Sequence, residues 1–183
     1  MTTVATEPLF MSSDSALKFA FEYSMAQYGR NILATLVGNA PPAGRGLVGL
    51  DGAAQAGMIL REVYDLTDVQ AYILTAIFCR AKTECDCCGG LVDRPEKRQA
   101  IKALSELCSY VMSGHIQNNR FREAMVARYF GDKSSLTVMA SRYRVDRDTA
   151  SRHYSKVASW LKENESRARM AIGDRLGEIG MVG

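Results

Sequence analysis

Residues 136 to 161 read LTVMASRYRVDRDTASRHYSKVASWL, and this run predicts two helices separated by a tight turn. Apolar and small residues recur at helical spacing over Leu136–Tyr143, and a second amphipathic pattern extends over Arg147–Leu161. Between the two patterns lies Arg144-Val145-Asp146, which ends in a residue type that favours the helix N-cap. The run therefore predicts a helix-turn-helix.

Two helices that cross closely need small or apolar side chains where they touch. Ala140 in the first predicted helix, Val145 in the turn and Ala150 in the second helix supply them. The other side of the second helix can then face a major groove of DNA. The candidate base-reading residues are Arg147, Thr149, Ser151 and Arg152, and the candidate phosphate contacts are Lys156, Arg142 and Arg144. The alternative interpretation is a plain helical hairpin whose arginines form a solvated face.

The same run resembles the helix-turn-helix in the C-terminal region of sigma factors. The matching residues are Leu136, Met139, Ala140, Tyr143, Val145, Arg147, Asp148, Ala150, Lys156 and Leu161. The sequence departs from the pattern at Arg144, where the family usually has glycine, and a positive φ there costs an arginine about 1 kcal/mol or more. The resemblance implies double-stranded DNA as a partner, with RNA polymerase or a sigma factor as a second one.

The combination of this helix-turn-helix with a helical body and a cysteine-rich segment is similar to the late antiterminators of lambdoid phages. Those proteins bind DNA near a promoter and load onto RNA polymerase, which implies a regulator of transcription in the cytoplasm of a bacterium or a phage-infected host. Two other functions stay open. One is an all-α adaptor that binds protein, and the other is an accessory subunit of DNA processing. In each case a homo-oligomer is compatible with the sequence.

Composition limits these interpretations only loosely. The chain has 183 residues, of which 47% are hydrophobic, so it can form a sizeable core. Its 23 basic and 20 acidic residues give a net charge of +3, too mild to indicate a nucleic-acid partner. The basic excess lies between Ser141 and Arg169, with eight basic residues against four acidic ones. A signal peptide and an apolar run of roughly 18 residues are both missing, so we expect a cytoplasmic protein with no membrane partner.

The fold class is predicted to be all-α, because helical spacing recurs along the chain and no convincing run of alternating β-branched residues does. The predicted organisation is a mobile leader (1–13), a helical body (14–116), a helix-turn-helix domain (117–165) and a C-terminal tail (166–183). Within the body, glycine and proline predict a loop over 38–52, and cysteines mark a second loop over 85–90.

The cysteine-rich loop reads Cys85-Asp86-Cys87-Cys88-Gly89-Gly90. Cys85 and Cys88 with the two glycines have the shape of a zinc knuckle, which is half of a tetrahedral zinc site. The candidate additional ligands are Cys87, Cys79, Cys108 and His115. Reduced cysteines in a loop, or a redox role, are the other interpretations. Cys79 and Cys108 lie inside apolar helical patterns, which is more typical of core residues.

Catalysis has little support in the sequence. Neither of the two histidines, His115 and His153, lies in a nucleophile motif or at a metal-hydrolase spacing. The glycines around Arg45 lack the lysine and hydroxyl of a phosphate-binding loop. The chain is therefore predicted to be a binding protein rather than an enzyme.

Overall fold

The computed structural model describes residues 8–28, 50–80, 82–84, 87–111 and 118–183. Those residues form seven α-helices and one two-stranded β-ribbon. The helices are α1 (Ser13–Tyr28), α2 (Leu50–Tyr64), α3 (Asp68–Phe78), α4 (Pro95–Val111), α5 (Asn119–Tyr129), α6 (Leu136–Tyr143) and α7 (Arg147–Glu178). The strands are β1 (Lys82–Glu84) and β2 (Leu91–Asp93). The predicted all-α class is confirmed.

The β-ribbon is an element that the sequence did not predict. Its strands are antiparallel, with Thr83 opposite Val92 at the centre of the register. Each strand has only three residues, so neither is long enough to display the alternation that identifies a strand. The ribbon joins α3 to α4 and encloses the predicted cysteine-rich loop. Most of the other predicted loop, 38–52, lies outside the described residues, and residues 50–52 begin α2.

Helix α7 is 32 residues long and passes through the boundary predicted after residue 165. The sequence predicted an end at Leu161, and the next two turns contain the charged residues Lys162, Glu163, Glu165 and Arg167. Buried Ala168, Ile172 and Leu176 nevertheless continue the apolar stripe at intervals of four residues. In this half of α7, Arg169 contacts Asp14 of α1 and the ring of Phe78 in α3, and Arg175 pairs with Glu62 of α2. Residues 166–178 are therefore part of the helical body rather than a tail.

The start of the described chain is packed, which corrects the prediction of a mobile leader for residues 8–12. The N–H of Phe10 donates a hydrogen bond to the carbonyl of Met181 at 2.9 Å, and Phe10 forms a parallel bridge with Val182. The ring of Phe10 also lies 5.2 Å from that of Phe19, between ring centroids. The partner of this segment is more than 170 positions away, so local patterning does not reveal it. Residues 1–7 lie outside the described residues.

A polar network fixes α7 to two other helices. Arg169 donates hydrogen bonds to Asp14 of α1 at 2.5 Å and to Glu165 at 3.0 Å. The hydroxyl of Tyr129, at the end of α5, donates to the other oxygen of Glu165 at 2.8 Å. Burial and this hydrogen bond raise the pKa of Tyr129. These hydrogen bonds connect α1 and α5 to the same part of α7.

No membrane-spanning candidate occurs among the helices in the described ranges, since none is both long enough and apolar enough to cross a bilayer.

Candidate nucleic-acid interface

Helices α6 and α7 pack against each other and are joined by the three residues 144–146. Both helix starts are capped by side chains. Ser135 accepts a hydrogen bond from the N–H of Val138 at 3.2 Å. Asp146 accepts from the N–H groups of Asp148 and Thr149 at 3.0 and 3.2 Å. Because these bonds favour the charged carboxylate, they hold the pKa of Asp146 below its usual range. The caps explain why the predicted helix starts are the observed ones.

The turn between α6 and α7 contains a strained residue. Arg144 has φ 54° and ψ 44°, the left-handed conformation, and among the described residues it is the only non-glycine with a positive φ. The N–H of Val145 donates to the carbonyl of Ala140 at 2.9 Å and so closes the end of α6. The sequence therefore departs from the sigma-factor pattern only in residue type at this position. The backbone of Arg144 has the left-handed conformation that favours glycine.

Replacing Arg144 with glycine is expected to leave the free energy of unfolding unchanged or to raise it by up to about 1 kcal/mol, because relief of the strain opposes the added freedom of the unfolded chain. The matched control is Arg142→Gly, which puts glycine into a right-handed helical position and should cost about 1 kcal/mol. Urea unfolding measures both values. If Arg144→Gly is as destabilising as the control, then Arg144 is not strained.

The contact between the two helices has the small residues that the sequence predicted. Ala140 and Ala150 are buried, and Val145 packs against the core from the turn. Helix α5 joins the same cluster, since the rings of Phe121 and Tyr143 lie 5.3 Å apart between centroids. The three helices α5, α6 and α7 therefore share one core.

The seven predicted DNA-contacting residues lie at the end of α6, in the turn and in the first ten residues of α7. Six are exposed, and Thr149 is half-buried. Its hydroxyl accepts a hydrogen bond from the guanidinium of Arg152 at 3.2 Å. Lys156 follows Arg152 at the spacing of one helical turn, as Ser151 follows Arg147, so these pairs form two adjacent rows on the exposed side of α7.

Five of these residues are cations, and together they are called the cationic surface: Arg142, Arg144, Arg147, Arg152 and Lys156. None of the five forms an ion pair with any residue in the part of the chain that the structure describes. The second half of α7 differs, because Arg167 pairs with Glu163 at 2.5 Å and Arg175 pairs with Glu62 at 3.2 Å. The first half of α7, to residue 162, has four Lys and Arg residues against one carboxylate. Its charge is available to an external anion.

Arg128 is a residue of this region that the sequence did not single out. Its guanidinium donates a hydrogen bond to the carbonyl of Ser134, in the loop before α6, and lies 5.4 Å from the centroid of the Tyr154 ring in α7. It thereby connects α5, that loop and the predicted recognition helix. Nothing local in the sequence separates Arg128 from the other arginines, because its partners come from two other segments.

The candidate metal ligands are divided between the ribbon turn and the core. Cys85 lies outside the described residues, whereas Cys87 and Cys88 are exposed on the turn. Gly89 has φ 67°, a conformation that favours glycine, and a Cβ on Gly90 would lie in ordinary contact with the sulfur of Cys88 at 3.4 Å. Within the described ranges, no three His, Cys, Asp or Glu residues converge on a point. Zinc stays a prediction, and a metal analysis of the purified protein would test it.

The two remaining described cysteines are core residues, as their apolar surroundings in the sequence indicated. Cys79 and Cys108 are both buried. Burial raises the pKa of the Cys79 thiol and raises that of Cys108 to about 11. Both thiols are therefore protonated and unreactive at neutral pH.

Comparison with protein-family models, with curated proteins and with solved structures gives no match to this chain. The similarity to sigma factors and to phage antiterminators thus remains a resemblance of particular residues and of architecture. A functional interpretation has to start from the geometry and charge of the site.

Proposed function

We propose that this protein is a sequence-specific DNA-binding regulator of transcription rather than an enzyme, and that α7 enters the major groove of double-stranded DNA. The observation that supports this best is the cationic surface, whose five members have no ion-pair partner in the described part of the chain. Double-stranded DNA carries about one negative charge per 1.7 Å of its axis. Binding would therefore release counterions from the DNA without breaking ion pairs of the protein.

Each residue of the surface has a proposed role. The first residues of the second helix contact base edges in helix-turn-helix proteins, so Arg147, Thr149, Ser151 and Arg152 are proposed to read bases. The hydrogen bond from Arg152 to Thr149 at 3.2 Å restricts the guanidinium before DNA arrives, which lowers the entropic cost of binding. The exposed residues Arg142, Arg144 and Lys156 are proposed to hold phosphates on either side.

The first experiment measures the affinity of the protein for random and genomic DNA fragments across a salt series. Arg147→Ala and Arg152→Ala are each expected to weaken binding to the preferred sequence by about 1–3 kcal/mol, roughly 5- to 150-fold, because each removes a base contact. The matched control is Arg167→Ala. Arg167 is an exposed arginine of the same helix, but it is paired with Glu163, and its loss should leave the affinity unchanged.

Two results would contradict the proposal. If the unaltered protein fails to bind DNA even at low salt, α6 and α7 are only a scaffold, and an adaptor that binds protein becomes the better function. If Arg167→Ala weakens binding as much as Arg147→Ala does, the attraction is a general charge effect without a defined recognition face.

The proposal has a finer part, in which RNA polymerase or a sigma factor is the protein partner and the activity is antitermination. Its support is the sigma-like pattern together with the helical body, where α1–α3 would contact the polymerase or a second copy of the chain. Such a protein acts in the cytoplasm of a bacterium or an infected host. This part fails if the purified protein neither co-elutes with RNA polymerase nor changes transcript length in vitro.

A further inference from the structure

A groove of about 450 Å³ lies between the start of α4 and the end of α5. It is called the α4–α5 groove. Its α4 side carries three cationic side chains, Arg94, Lys97 and Arg98. Its other side carries Glu123, and the turn after α5 contributes Phe130 and Asp132. The sequence did not predict this site, because the two sides are about 30 positions apart and neither has a motif.

The groove favours an anion. Lys97 is half-buried, and burial lowers its pKa, so an anion close to it would replace the solvation that the ammonium has lost. Neither Lys97 nor Arg98 forms an ion pair with a residue that the structure describes. Of the two carboxylates, Asp132 already accepts a hydrogen bond from the N–H of Ser134 at 2.7 Å. That hydrogen bond does not neutralise Asp132, so Glu123 and Asp132 are the two charges that oppose an anion.

The groove is joined to the helix-turn-helix by the segment that follows α5. Asp132 lines the groove, and its carboxylate accepts a hydrogen bond from the N–H of Ser134 at 2.7 Å. The carbonyl of Ser134 accepts a hydrogen bond from Arg128, whose guanidinium lies 5.4 Å from the centroid of the Tyr154 ring in α7. The hydrogen bonds from Ser134 lower the pKa of Asp132, and the charges of Arg128 and Arg142 also help to lower it. The segment from Phe130 to Ser135 leads directly from the groove to the start of α6.

We propose that the α4–α5 groove is a second phosphate-binding edge of the DNA interface, in which Lys97 and Arg98 hold the sugar-phosphate backbone beside the segment that α7 reads. This inference rests on the proposed DNA-binding function. A small phosphate compound would be bound only weakly, because the three cations of the groove are opposed by two carboxylates. A duplex already held by the cationic surface presents its next phosphates to the groove at a high effective concentration, so weak attraction suffices.

The test compares salt dependence in the full chain. In Lys97→Gln and Arg98→Gln, the slope of log K against log salt should become shallower by about one unit per cation removed. Affinity should fall alike for preferred and random sequences, because phosphate contacts carry no sequence information. Lys102→Gln is the matched control, since Lys102 is an exposed lysine of α4 that does not line the groove, and it should change nothing. Glu123→Gln should tighten binding.

The results separate failure of the groove from failure of the proposed function. If the unaltered protein binds DNA and both glutamine variants keep its affinity and salt slope, the groove is not part of the interface, while the proposed function stands. If the unaltered protein does not bind DNA at all, the proposed function fails, and the inference fails with it. Calorimetry with inorganic pyrophosphate gives the remaining outcome. If the unaltered protein binds pyrophosphate, and the Lys97→Gln/Arg98→Gln double variant loses this binding but keeps its affinity for DNA, then the groove is a small-anion site. That result overturns the inference.

Discussion

Replacing Leu176 with alanine is expected to lower the free energy of unfolding by about 2–5 kcal/mol, the usual cost of emptying a buried leucine site. Leu176 is 0% exposed and lies in the last turns of α7, beyond the boundary that the sequence suggested after residue 165. Leu176 belongs to the buried hydrophobic core, so the substitution would open a cavity there. Equilibrium unfolding in guanidinium chloride measures the loss.

Met170→Ala is the matched control for Leu176→Ala. Met170 lies in the same half of the same helix but is 64% exposed, so its truncation should change the free energy of unfolding by no more than about 0.5 kcal/mol. Equal effects of the two substitutions would mean that residues 166–178 do not contribute to the core, and the tail predicted from the sequence would be the correct description.

Phe121→Ala is expected to lower the free energy of unfolding by about 3–5 kcal/mol. Phe121 is 1% exposed, and its ring lies 5.3 Å from the ring of Tyr143 at the end of α6. Because this contact holds α5 against α6, the substitution should also weaken DNA binding, although Phe121 itself is buried and would not touch DNA. Both effects are measured at a temperature where the variant is still mostly folded.

Tyr143→Phe is the control for the ring contact. It keeps the aromatic ring and removes only the hydroxyl, so stability and DNA affinity should stay close to those of the unaltered protein, within about 0.5 kcal/mol. The proposed coupling of α5 to α6 would be refuted if Phe121→Ala destabilised the protein and left its DNA affinity intact. In that case α6 and α7 keep their arrangement without support from α5.

The parts of the fold that depend on local chemistry were predictable. The bounds of α6 follow from the Ser135 cap at one end and from the turn at the other. The start of α7 follows from Asp146, whose side chain bonds two N–H groups of the first turn. The buried positions of Ala140 and Ala150 follow from the need for small residues where two helices touch.

The parts that depend on distant partners were not predictable. The segment at Phe10 is ordered by Met181 and Val182, and the second half of α7 is held by helices far away in the sequence. Only Ala168, Ile172 and Leu176 are buried in that half of α7, and the charged residues around them mask the helical period. The roles of Arg128 and of the α4–α5 groove depend likewise on segments that only the tertiary structure brings together.

The length of α7 has a mechanical consequence. Its 32 residues make a rod about 48 Å long. One end carries Arg147 and shares a core with α5 and α6, and the other end is held in the body through Arg169 and Arg175. A tilt of α7 by only 5° in the body would displace its Arg147 end, with the helices packed on it, by about 4 Å, roughly the distance between neighbouring base pairs. A partner that binds the helical body and tilts α7 would therefore shift the position of Arg147 relative to the DNA.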